Sequence, residues 1–367
     1  SPSLNTLKRC TSIRNSAGTF APQFSIMADR TELSDIGEFG LIEHLTKGIE
    51  LKNKSSIKGI GDDAAVIDRG DHVEVVSSDL LVEGVHFDLG YTPFKHLGYK
   101  AVVVNVSDIC AMNAQPTHIL VSIAVSNRFP VEVLDELYAG IKLACDTYEI
   151  DFVGGDTSTS TSGLMISVTA IGSADKDKIA YRSGAKDNDL VCVSGDLGAA
   201  YIGLQILERE KQIWKENPKV QPDLEGFDYV LERILKPEAR KDVVTALAKN
   251  EIQPTSMIDI SDGLGSELLH ICKSSECGVR VYEDKLPIDP TTASQSKEFK
   301  MEPSVCAMNG GEDYELLFTV DQKDFEKVRA MEEVHIIGHI TDKASGAAII
   351  YPQGEEIEIK AQGWKSF

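Results

Sequence analysis

The chain has 367 residues, enough for two ordinary domains with their own cores, and its 42% hydrophobic content is that of a globular protein. A net charge of −21 argues against a nucleic-acid partner or an anionic membrane surface, and no apolar run approaches the length of a membrane span. The seven cysteines form no C-x-x-C pair and sit mostly in apolar surroundings, as reduced thiols of a cytoplasmic protein would. If such an acidic protein handles phosphates, cations must act as intermediaries.

Residues 1–28 carry Lys8, Arg9 and Arg14 but no acid. Their composition suits either a transit peptide or an upstream stretch with Met27 as the true start, and in both cases an extension outside the fold. Ile36 to Ile49 has helical spacing, with Ile36, Phe39, Ile42 and Leu45 along one side. Gly59, Gly61 and Ala64 formally satisfy a dinucleotide fingerprint, but no buried strand precedes them. Asp62 and Asp63 occupy the positions where a pyrophosphate would lie, which suits a metal site better.

Val73, Val75 and Val76 predict a strand that ends in Ser77, Ser78 and Asp79, three adjacent oxygen donors of the kind a hard cation prefers. A turn capped by Ser78 and Asp79 is the alternative. Residues 97–113 include a strand-like Val102–Val104 run but lack turn signals, so a helix is expected, with Asp108 on one face. A carboxylate on a mostly apolar helix is costly unless it is paired or ligates something. Thr117 to Val125 reads as a strand and Val131 to Tyr148 as an amphipathic helix. The apolar run from Ile150 to Val153 ends in Gly154, Gly155 and Asp156, and Leu164 to Ile171 is a further strand.

The polar, glycine-rich stretch 172–188 marks a domain boundary, so the expected domains are 29–172 and 173–367. The second opens with a strand over Leu190 to Val193, then a helix after Gly198. Residues 208–227 read as a charged surface excursion, with helices following at about 228–235 and 237–249. Asp259-Ile260-Ser261-Asp262 precedes a helix to about Ser274, where Ser261 and Asp262 could serve simply as its cap. Strands follow at Gly278 to Tyr282, Glu315 to Val320, and near 335–340 and 347–351.

One acidic turn is noise in a chain with 58 acids, but the pattern recurs at Asp62-Asp63, Asp79, Asp156, Asp259 with Asp262, and Glu312-Asp313. Carboxylates placed at strand ends are expected to meet on one rim of a sheet and to need cations between them. No Walker loop, D-F-G or H-R-D is present.

In order along the chain, Gly-Ile-Gly-Asp-Asp-Ala (59–64), Ser-Ser-Asp-Leu-Leu-Val-Glu-Gly-Val-His-Phe (77–87), Asn-Val-Ser-Asp-Ile-Cys-Ala-Met-Asn-Ala (105–114), Gly-Gly-Asp-Thr (154–157), Arg-Ser-Gly-Ala (182–185), Asp-Ile-Ser-Asp-Gly-Leu (259–264) and Gly-Gly-Glu-Asp-Tyr-Glu-Leu (310–316) resemble the thiamine-monophosphate kinase family. That family lies within the aminoimidazole ribonucleotide synthetase superfamily. The resemblance implies a two-domain α/β (α+β) fold: an N-terminal domain that binds metal and ATP and dimerises through its sheet, and a C-terminal α/β domain. It also implies transfer of phosphate from ATP to thiamine monophosphate with several Mg²⁺ ions.

Carried over by motif, Asp63, Ser77, Ser78, Asp79, Asp108, Asp156, Asp259 and Asp262 would hold Mg²⁺. Tyr138, Gly155, Asp156, Arg182 and Ser261 would contact ATP, and His86, Glu312 and Trp364 the thiamine substrate. Ser78 stands where the family often has threonine. Asn113 stands where glycine is usual, which asparagine tolerates on left-handed backbone. The acceptor phosphate is already anionic near neutral pH, so no general base is expected. Alternatives are a selenophosphate synthetase-like enzyme of the same superfamily, or a non-catalytic divalent-cation or nucleotide binder.

Overall fold

Residues 33–360 are described by the structure, a computed structural model. Helix α1 (Leu33–Thr46) belongs to a unit of its own and covers most of the segment expected to be helical, with a break at Gly37, where φ is 63°. The unit that begins at Gly48 opens with β1 (Ser56–Lys58), β2 (Ala65–Asp68) and β3 (Val73–Val82). Then come α2 (Phe94–Ala111), β4 (Gln115–Val125), α3 (Val131–Tyr148), β5 (Asp151–Thr159) and β6 (Met165–Ala174). These strands form one six-stranded sheet in the order β1-β2-β3-β6-β4-β5, antiparallel except for β4 with β5.

The chain continues through β7 (Leu190–Ser194), α4 (Ala199–Glu216), α5 (Asp228–Leu235), α6 (Lys241–Lys249), β8 (Ser256–Asp259), α7 (Leu264–Ser275) and β9 (Gly278–Tyr282). Last come α8 (Pro290–Glu298), α9 (Pro303–Asn309), β10 (Leu316–Val320), α10 (Phe325–Arg329), β11 (Val334–Thr341), β12 (Ala347–Ile350) and β13 (Glu356–Glu358). The second sheet has seven strands, ordered β13-β12-β9-β11-β7-β10-β8.

Helix α2 resolves the ambiguity of its valines. It is buried on nearly every side, from Leu97 to Ala111, so its β-branched residues pack all round while its backbone bonds stay internal. It packs against β3, β4 and β6 of the first sheet, against α3, and against β8 of the second sheet. One hydrophobic cluster therefore runs from Ile119 and Ile166 through Val102 and Val106 to Met257 and Phe318. A second cluster fills the space under α7, around Ile258, Leu268 and Val281.

Four local expectations are overturned. β3 does not end at Ser77: it pairs with β6 along its whole length, with Ser77 opposite Ala170 and Asp79 opposite Val168. Likewise β5 runs on through Gly154, Gly155 and Asp156, because β4 supplies partners for all three. Residues 208–216 are not a surface excursion but the second half of α4, where Lys215 and Glu216 are exposed while Ile202, Ile206, Leu207 and Glu210 are buried. The helix expected from 237 starts only at Lys241. Helices α8 and α9 lacked an apolar stripe to announce them, but each begins with proline, and Asp289 caps α8 by accepting from the Thr291 N–H at 2.7 Å.

The contact of α2 with α3 depends on Gly98 and Gly140. A Cβ on Gly98 would lie 1.9 Å from the Leu137 carbonyl oxygen, and one on Gly140 would lie 1.9 Å from that of Lys95. Backbone meets backbone there, with no flexible side chain to yield. Gly98→Ala should therefore lower the melting temperature by several degrees, the effect of about 1–3 kcal/mol of overpacking. Gly154→Ala, whose Cβ would meet only Leu120 at 3.9 Å, should leave it nearly unchanged. Thermal denaturation of both variants checks the contrast.

Candidate active site

Three of the expected carboxylates come together. Asp63, after β1, Asp108 near the end of α2, and Asp259 at the end of β8 place oxygens within 4.8 Å of one another. Asp63 and Asp259 are buried, and Asp108 is half-buried. Their hydroxyl partners come from elements packed alongside: Ser77 on β3 donates to Asp108, and Ser107 on α2 donates to Asp259 at 2.6 Å. The Asn105 side chain accepts from the Asp79 backbone N–H at 2.9 Å, fixing β3 against α2. Strands are thus not uniformly terminated at the site. The acids reach it from mid-strand, from a helix and from loops, and only Asp259 stands at a strand end.

Arg182 supplies the positive charge. Its guanidinium donates to Asp63 Oδ1 at 2.6 Å, and its backbone N–H to Asp62 at 3.0 Å. Asp63 Oδ2 is buried without a hydrogen-bond partner. Burial raises the Asp63 carboxyl to about 6 against the pull of Arg182, and raises Asp259 to about 7. Asp108 is pushed well above the usual range by burial and by the charges of Asp79, Asp259 and Asp63. Glu267, on α7, was not anticipated from the sequence. It is buried, accepts from the Asp262 N–H at 3.0 Å, and is raised strongly by its burial. Its signal, an acid in an otherwise apolar helical turn, was present but resembles ordinary helix chemistry.

The other expected residues divide into those near this cluster and those elsewhere. Alternation along β3 turns Ser78 to the opposite face, where its hydroxyl meets Thr169 at 3.0 Å, so its side chain is not beside Ser77 and Asp79. Asp156 and Gly155 lie on β5, opposite Ser122 and Val121 of β4. Gly155 is at φ 154°, where an added Cβ would be 1.7 Å from the Val121 carbonyl oxygen. Tyr138 on α3 lies beside Phe152, with ring centroids 6.1 Å apart. His86 is exposed, and its Nδ1 accepts from the Val82 N–H at 2.9 Å, so in the neutral ring Nε2–H faces outward.

Ser261 and Asp262 do not cap α7, whose N-cap is Gly263. Instead the Ser261 carbonyl accepts from the Glu312 N–H at 2.7 Å, and Ile260 exchanges backbone bonds with Tyr314 and Glu315. The Asp-Ile-Ser-Asp and Gly-Gly-Glu-Asp motifs are thereby laced together. Trp364 and residues 1–28 lie outside the described residues. A donor set of carboxylates and hydroxyls with an orphaned buried oxygen fits hard divalent cations such as Mg²⁺.

Two family descriptions match the chain: AIR synthase related protein, N-terminal domain, over residues 61–174, and the C-terminal domain of the same description over 186–350. The thiamine-monophosphate kinase of Bacillus subtilis is 33% identical over 338 residues, spanning 90% of this chain and 99% of that protein. That of Aquifex aeolicus is also 33% identical, over 91% of this chain and 99% of its own length. The chain belongs to the thiamine-monophosphate kinase family. A solved family member, AaThiL complexed with AMPPCP and TMP, superposes with a TM-score of 0.78 at 31% identity, over 92% of this chain and 99% of its own. The hydrogenase maturation protein HypE in complex with ATP shares the fold at a TM-score of 0.66 and 17% identity, over 90% of this chain and 98% of its own. Asn113 takes φ 54° and donates from its side chain to the Lys178 carbonyl at 2.8 Å.

The raised carboxyls make a signed prediction for this kinase. With folded values of about 6 and 7 against an ordinary 3.8, protons held by Asp63 and Asp259 stabilise the metal-free fold fully below about pH 4. That contribution is lost as pH rises through 6 to 7. Divalent cations bound at these carboxylates would replace those protons, so Mg²⁺ should raise the melting temperature by several degrees near pH 8 and by much less near pH 5. Equal shifts at both pH values would remove these carboxylates from the cation site.

Proposed function

We propose that this protein transfers the γ-phosphoryl group of ATP directly to the phosphate of thiamine monophosphate, giving ADP and thiamine diphosphate. The buried meeting of Asp63, Asp108 and Asp259 carries the reading, set in a chain similar over nearly its whole length to kinases of that name. These three, with Ser77, Asp79, Asp156 and Asp262, would hold Mg²⁺, and the backbone at Ser78 remains available even though its side chain turns away. When bound, such ions neutralise facing polyanions and template an in-line displacement.

The chain's own residues account for the remaining requirements. Arg182, now on Asp63, can turn to a triphosphate oxygen once cations neutralise the carboxylates. Gly155 and Ser261 offer backbone and hydroxyl contacts to ATP, and the half-buried ring of Tyr138 offers an aromatic face. No general base is needed, because a phosphate monoester with a second pKa of about 6 is already an anionic nucleophile near neutral pH. His86, Glu312 and Trp364 are assigned to the thiamine substrate, whose cationic thiazolium suits an indole face.

We propose that the two domains expected at 29–172 and 173–367 divide instead between β6 and β7, after Ala174 and before Leu190, because 172 lies inside β6; α1 belongs to a separate unit. Dimerisation through the first sheet is supported by edge strand β5, which exposes Phe152 and Val153. The free thiols, mostly buried among the described residues, suit a reducing cytoplasm.

Incubation with ATP, Mg²⁺ and thiamine monophosphate should yield thiamine diphosphate. Asp79→Asn should abolish turnover while leaving the circular dichroism spectrum unchanged, and near-normal activity would defeat its assignment to metal. Trp364→Ala should weaken thiamine monophosphate by about 1–2 kcal/mol, roughly five- to thirty-fold, with ATP affinity unmoved. Titration calorimetry with each ligand distinguishes this from a core role, which would weaken both ligands together.

A further inference from the structure

Lys100 is a buried cation on α2, with 7% of its side chain exposed, and it bonds to two other parts of the fold. Its ammonium donates to the Glu312 carboxylate and, at 3.1 Å, to the Ile234 carbonyl in the last turn of α5. An ammonium taken out of water is expensive unless it is paired, so this contact is held firmly. Glu312 is a third exposed, and its other oxygen, Oε1, accepts from the Tyr314 hydroxyl at 3.1 Å. Each carboxylate oxygen thus has one partner in the body of the protein, with acceptor capacity left over on the open side.

The backbone beneath this carboxylate is strained. Gly311, Glu312 and Tyr314 have φ of 70°, 62° and 51°, a region that glutamate and tyrosine rarely enter. Such a turn persists only where its surroundings over-determine it. Lys100 above and the Ser261 carbonyl alongside do so. Seven residues along the same face of α2, about 11 Å away, Ser107 orients Asp259. One helix face therefore sets both the metal end of the site and the position of Glu312.

We propose that Lys100 is a positioning residue for the phosphate acceptor, acting through Glu312 without touching the substrate itself. This rests on the reading that Glu312 contacts thiamine monophosphate. Because the ammonium compensates its charge, the open edge of Glu312 serves as a hydrogen-bond acceptor for an N–H group, such as the amino group of an aminopyrimidine. It is a poor counter-ion for a ring that carries a fixed charge and no N–H. The competing role, a purely structural cap on α5 through Ile234, would affect both substrates alike.

A double-mutant cycle separates the two. Steady-state KM for thiamine monophosphate and for ATP, kcat, and melting temperature are measured for wild type, Lys100→Met, Glu312→Gln and the double variant. Each single change should raise KM for thiamine monophosphate about tenfold, with KM for ATP within about twofold, and the double variant should be no worse than Glu312→Gln alone. Independent, multiplying effects would overturn the proposal. So would a Lys100→Met variant whose two KM values rise together as its melting temperature falls. If Lys100→Met does not fold, Lys100→Gln, which loses the charge that compensates Glu312 and keeps a donor for the Ile234 carbonyl, replaces it and is read in the same way. A wild type that makes no thiamine diphosphate overturns the underlying function. A wild type that does, with KM unmoved in the Lys100 variant, overturns only the role of Lys100.

Discussion

Asp63, Asp108 and Asp259 hold their oxygens within 4.8 Å of one another in a place that water barely reaches, and much of the fold is arranged to tolerate that. Like charges this close raise each other's pKa, and burial raises them further. Arg182 offsets part of the repulsion at Asp63, and hydroxyls from Ser77 and Ser107 satisfy part of the remainder. Glu267 adds another buried acid nearby. A protein selected for stability alone has no use for this arrangement. It would become favourable with divalent cations and their phosphates bound.

Helix α2 makes the crowding possible. It touches the first sheet on one side and β8 of the second on another, so residues on a single rigid element contact both. Close approach to α3 through Gly98 and Gly140 leaves α2 little freedom to shift. Ser107, Asp108 and Lys100 are therefore fixed with respect to one another by helix geometry, and their partners on β3, β8 and the Gly-Gly-Glu turn are brought to them. From Leu97 to Ala111 nearly all of this helix is interior, and within that stretch Lys100, Asn105, Ser107 and Asp108 each bond to elements around the site.

Net charge and chemistry agree at this point. A chain with charge −21 would repel a nucleoside triphosphate if it relied on its own cations, and the Walker lysine used elsewhere is missing. Hard cations gathered by carboxylates would reverse the local field. The basic residues near the site, Lys58, Arg182 and Lys100, are each already paired with a carboxylate.

Much of this was legible from residue order. The recurring acids and hydroxyls name a hard-cation chemistry because ligand type is a property of the side chain alone. Local rules located the bounds of α3 and β9, because those depend on near neighbours. What depended on distant partners was not legible. β3 and β5 continue past their glycines and hydroxyls because β6 and β4 offer them hydrogen bonds, and that continuation turns Ser78 away from the carboxylates. The pairing of Lys100 with Glu312, 212 positions apart, has no trace in either local stretch. Residue types determined what the site could bind; only packing across the two sheets decided which of those residues meet, because burial and strand pairing are set by parts of the chain that local sequence does not see.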